Sequence, residues 1–173
     1  MAFSTDNGGV ALYADIKLIE GASTWNTRLS QIGRARGNIL ICTEELLDDK
    51  PDFNRSCGDL RYLRRILDKR DAIDPGLASV MIITNIPSEA EAIELKILYP
   101  NLTVYLTDFI EGTTVLMKPE TVWYAPGGFG DPGKECRPTP FEGIGFHSRQ
   151  AFRHYAKAIN GHLKKYGYTE LTL

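Results

Sequence analysis

The sequence is poor in the features that mark specialised classes of protein. Its three cysteines, Cys42, Cys57 and Cys136, are odd in number and have no close pairing, so no disulfide framework is implied. No CxxC or HxxxH spacing occurs. His147, His154 and His162 all lie near the end without a carboxylate or thiol at ligand spacing, so neither a metal nor a cofactor is expected. No apolar run approaches the ~20 residues that cross a bilayer, which argues against a membrane protein. The opening MAFSTDNGGVALYADIK lacks a basic stretch followed by an apolar one, so a secretory signal is not expected and the reading is cytoplasmic. Charge of one sign is also missing. With 20 Lys and Arg against 22 Asp and Glu, the formal net charge is -2, which excludes a globally basic nucleic-acid coat but leaves a local basic face open.

What is present is enough for one core. The 173 residues are 43% hydrophobic, a size and composition expected of one folded domain spanning residues 1–173. Ser23 and Thr24 are suited to cap a helix with Trp25, Leu29 and Ile32 at helical spacing, ended by Gly37. Residues 38–43 form an apolar run of the buried-strand type. After an acidic irregular stretch, Ser56 and Asp59 resemble a capping box for a helix with Leu60, Leu63, Ile66 and Leu67 on one face. Its other face carries Arg61, Arg64, Arg65, Lys69 and Arg70. Cys57 near that helix start reads as a small first-turn residue rather than a reactive thiol. Residues 79–84 form a second buried strand. Ser88 with Glu91 caps a third helix holding Ile93, Ile97 and Leu98, and residues 102–107 form a third strand. Alternation of this kind predicts an α/β fold: a mixed, largely parallel sheet flanked by helices.

The pattern then changes. Residues 113–117 and 121–125 flank Lys118-Pro-Glu120 as a hairpin. Residues 126–143 are rich in Gly and Pro and read as a loop, and residues 141–146 as a last strand. Ser148 caps a final helix with Ala151, Phe152, Tyr155, Ile159 and Leu163 along one stripe.

From the strand at Leu102 to the final helix, the order of elements resembles the phospholipase D superfamily. That resemblance implies the superfamily's fold for most of the chain, and a homodimer, since single-motif members pair across the active site. The family motif is His-x-Lys, four residues, then Asp. The matching stretch here is Glu111-Gly-Thr113-Thr-Val-Leu-Met-Lys118. Glu111 therefore stands at the histidine position, Thr113 at the lysine position and Lys118 at the aspartate position. In the family the histidine attacks phosphorus and the lysine holds the developing phosphoryl charge. Glu111 sets an anion beside an anionic substrate, and Thr113 brings no positive charge.

The resemblance thus implies a degenerate site and a non-catalytic binding or regulatory protein, a pseudoenzyme that engages nucleic acid or inhibits a protein partner. Gly127 and Gly128, where the family's Gly-Ser turn lines the site, can offer backbone N–H groups to an anion, with Lys118 and Arg137 as further ligand-binding candidates. Two other readings stand. One is an active phosphodiesterase or nuclease with a rearranged site, using His147 or His154 with Lys118 and Arg137. The other is a scaffold whose interface buries Trp123, Phe141 and Phe146. Basic residues on the first helix (Arg28, Arg34, Arg36), the second, and the last from Arg149 to Lys165 are candidates for a polyanion contact. Acidic neighbours make a solvated face the plainer reading.

Overall fold

The structure, a computed structural model, describes residues 15–18, 30–46, 60–118, 120–125 and 144–171. Its strands are β1 (Asp15–Leu18), β2 (Ile39–Thr43), β3 (Val80–Asn85), β4 (Thr103–Thr107), β5 (Thr113–Met117), β6 (Thr121–Ala125) and β7 (Ile144–His147). Residues 30–34 are helical and are termed α1. They are followed by α2 (Arg61–Asp71), α3 (Glu89–Leu98) and α4 (Arg149–Lys165). Among the described residues no helix is long and apolar enough to cross a membrane.

All seven strands form one sheet of order β1-β7-β6-β5-β2-β3-β4. The β2–β3 and β3–β4 pairs are parallel, as the crossovers through α2 and α3 require. The other four pairs are antiparallel. The sheet is mixed as expected. Five strands share a direction, but β5 and β7 are interleaved among them, so parallel pairing is confined to one half. Strand β1 was not foreseen. It pairs Asp15 with His147 and Leu18 with Ile144, and its four residues are too short for an alternation to show.

Period-two alternation divides the sheet into two cores. Ile39, Ile41, Val80, Ile82, Val115, Met117 and Trp123 point to the face covered by α1, α2 and α3. Leu40, Ile83, Leu116 and Val122 point to the other face, covered by Phe152, Ile159 and Leu163 of α4. Burying each large aliphatic side chain contributes roughly 1.5–3 kcal/mol, so α2 and α4 stay docked although their outer faces are charged. Trp123, offered above as an interface residue, is a core residue at 3% exposure. Its indole N–H is hydrogen-bonded to Gln31 Oε1.

Two local expectations change. Arg70 does not join the solvated face of α2: it is buried, and its guanidinium donates to Ala35 O, to Gly37 O at 3.2 Å and to Ser79 Oγ at 3.1 Å. Those acceptors lie where α1 enters β2 and where β3 begins, so a buried cation on α2 ties two connections together. Ser88 makes no capping bond. It ends a 3-10 turn, Ile86–Ser88, at φ -90 and ψ 19 rather than the extended backbone a capping serine adopts. In α3 the residues that pack inward are Ala92 and Leu95, while Ile93, Ile97 and Leu98 are exposed. Ser148 does cap α4, its Oγ accepting from Ala151 N–H at 3.2 Å. The capping residues expected at 23, 24, 56 and 59, and Cys57 and Cys136, lie outside the described residues.

Candidate functional site

The rim where β2, β3 and β4 end and β5 begins carries two of the positions matched to the family motif, those of Glu111 and Thr113. At the end of each parallel strand a threonine is followed by a polar residue: Thr43-Glu44, Thr84-Asn85 and Thr107-Asp108. These residues build the rim. Asn85 grips Ile110 on both sides, its Oδ1 accepting from Ile110 N–H at 2.9 Å and its Nδ2 donating to Ile110 O at 3.0 Å. Glu44 grips Gly112 likewise. Its Oε2 accepts from Gly112 N–H at 2.8 Å, and its own N–H donates to Gly112 O at 3.0 Å. Tyr166 Oη donates to Asp108 O at 3.3 Å. The 108–112 connection is thus held at three points. Gly112 takes φ +66, and Phe109 is 91% exposed at φ +61.

Within this frame Glu111 is exposed, whereas Thr113 is completely buried. The Thr113 hydroxyl lies 2.9 Å from that of Thr43, whose own proton goes to Glu45 O at 2.9 Å, which makes Thr113 the donor. A hydroxyl committed in this way is neither a nucleophile nor a cation. Among the described residues, the charged side chains along the rim are the carboxylates of Glu44, Asp108 and Glu111 and the ammonium of Lys165 at the end of α4, beside the titratable His162. His162 Nε2 lies 3.1 Å from Thr107 Oγ1. Desolvation, reinforced by Lys165 and opposed by Asp108, holds its pKa below the ordinary 6.5.

Lys118 is not at this rim. Five residues of β5 separate Glu111-Gly112 from it, about 13 Å between the ends of the strand alone, and it emerges at the opposite rim in the β5–β6 turn. There it lines two grooves. One, of about 630 Å³, runs along α4 past Arg149, Arg153, Lys157 and Lys164. The other, of about 680 Å³, lies on the opposite face of the sheet beside Arg34 and Arg36 of the α1–β2 segment. Glu120 borders both, and Glu170 borders the first, paired with Lys164 at 3.2 Å.

His147 ends β7 at this same rim, exposed, with Nδ1 3.5 Å from Thr121 Oγ1. His154 is exposed on α4, its ring against Tyr155. Among the described residues no carboxylate orients either ring, and no group of three His, Cys, Asp or Glu side chains is placed to hold a metal. Gly127, Gly128 and Arg137 lie outside the described residues. The clamps made by Glu44 and Asn85 escaped sequence reasoning, although the recurring threonine-plus-polar ending of three parallel strands was a readable signal for a rim.

No protein-family model and no curated protein matches the chain. Solved structures do. NucT from Helicobacter pylori aligns with a TM-score of 0.65 at 13% identity, covering 88% of this chain and 97% of that one. TrmBL2, an archaeal chromatin protein whose structure shows a novel mode of DNA binding, aligns at 0.52 and 14% identity, covering 87% and 52%. The chain has the phospholipase D-like fold, an α/β domain with a mixed sheet.

Proposed function

We propose that this protein is a non-catalytic nucleic-acid-binding protein on a phospholipase D-like fold, regulatory in role and homodimeric. One observation carries the loss of catalysis: at the positions matched to the nucleophile and to the phosphate-holding lysine stand an exposed carboxylate, Glu111, and a buried, hydrogen-bonded Thr113. Removing one electrostatic stabiliser alone costs about 10²–10³ in rate. A carboxylate at the point of attack adds repulsion. The DNA binding described for TrmBL2 and the cations gathered beside α4 support the nucleic-acid half of the reading.

The test is a combined binding and cleavage measurement with labelled DNA and RNA, single- and double-stranded, under chelation. Bound and intact nucleic acid is the expected result. Cleavage that disappears in Glu111→Ala overturns the reading. A second reading, a rearranged phosphodiesterase, is favoured by one observation: His147 shares its rim with Lys118. Cleavage that survives Glu111→Ala but is lost in His147→Ala establishes it instead. For the homodimer, light scattering should return about twice 19.3 kDa.

A further inference from the structure

The two grooves that meet at Lys118 lie away from Glu111 and Thr113: one runs along α4 and the other lies on the far face of the sheet. Together they are lined by seven cations and two carboxylates, in a chain whose formal net charge is -2. On α4 the cations recur at 149, 153, 157 and 164, on one side of the helix, over about 22 Å of its length. All four are exposed. The adjoining stripe of the helix buries Phe152, Ile159 and Leu163, and Phe152 forms part of the groove wall. Gly161 also lines the groove, with open space where a Cβ would stand. Arg34 and Arg36 continue the positive charge on the far face of the sheet, and Lys118 is common to both grooves.

We infer that this band is a binding path for a single-stranded nucleic acid, which runs along α4 and turns over the β5–β6 connection at Lys118 toward Arg34 and Arg36. The inference rests on the nucleic-acid reading above and says where and in what form the ligand is held. A row of spaced, exposed cations without an enclosed pocket matches a repeating phosphate backbone. The two grooves lie on opposite faces of one sheet, so a ligand filling both must fold over the rim. A duplex, with a persistence length of about 150 base pairs, follows one groove at most. A single strand makes the turn. The carboxylates of Glu44, Asp108 and Glu111 at the other rim disfavour a polyanion there.

The experiment is fluorescence anisotropy of a labelled 20-nucleotide single strand, and of the same sequence as duplex, over a salt series. Five phosphate contacts give a slope of log affinity against log salt of about -3.5, or roughly a 100-fold loss between 50 and 200 mM. Lys118→Glu and Gly161→Glu should weaken single-strand binding, and the Lys118 variant should flatten the slope by about 0.7 or more. Gly161→Glu sets a carboxylate in open space without deleting a native contact. It should bind more weakly than Gly161→Gln, which adds the same bulk uncharged. Lys96→Glu, at an exposed position of α3, changes the net charge as much as Lys118→Glu and should bind like the wild type.

Wild-type binding that Lys118→Glu and Gly161→Glu leave intact overturns the path while the nucleic-acid reading survives. Duplex bound as tightly as single strand overturns the turn at Lys118. Absence of any nucleic-acid binding by the wild type overturns the reading itself.

Discussion

Gly145→Ala tests how the strands next to the β5–β6 turn are packed. Gly145 on β7 stands opposite Trp123 on β6. A Cβ at Gly145 falls 2.7 Å from both Cη2 and Cζ2 of the indole and 2.8 Å from Cε2, where ordinary contact begins at 3.4 Å. The ring must therefore retreat by about 0.7 Å or more. It has little room, being 3% exposed among the α1–α3 core residues and tethered through its N–H to Gln31. Overpacking of this kind costs about 1–3 kcal/mol. For a chain of this length that lowers Tm by about 2–12 °C. A glycine-to-alanine change without a clash would instead stabilise by about 0.4–1 kcal/mol through the unfolded chain, so the sign is itself diagnostic. Thermal and urea melts give the number. In a Trp123→Phe background, where the clashing ring atoms are gone, the same alanine should cost at least about 0.5 kcal/mol less. A neutral Gly145→Ala, or strict additivity with Trp123→Phe, would refute the packing argument.

Two further outcomes concern titratable groups. The folded state holds His162 below its ordinary pKa, so the unfolded chain takes up the proton first. His162 then costs no stability above about pH 6.5, and stability is lost as pH falls from there through the folded pKa. The stability difference between wild type and His162→Gln should accordingly rise with pH across this window, the other two histidines being common to both, and a flat or falling difference sinks the idea. Burial pushes the Cys42 thiol up to about 12, leaving a thiolate fraction of about 10⁻⁴ near pH 8. In a Cys57→Ser, Cys136→Ser background, Ellman's reagent should react promptly only in denaturant, and prompt labelling of the native protein would show that the thiol is open.

Sequence alone determined the elements that fill a face and the chemistry absent from the motif. The hairpin strands appear at residues 113–117 and 121–125 as read, and α4 buries the stripe assigned to it. Both follow from local alternation and spacing, which record burial without reference to partners. The replacement of the family's histidine and lysine by Glu111 and Thr113 was equally legible, because it is a matter of residue identity. Tertiary structure decided the rest. It inserted β5 and β7 among the parallel strands, recruited the short β1, and turned Arg70 inward to serve two connections. It also brought cations from residues 34–36 and from α4 to Lys118, at the opposite end of β5 from Glu111. Those residues are more than a hundred positions apart. Their meeting depends on which strands pair and in what register, and long-range pairing of that kind leaves no trace in local periodicity.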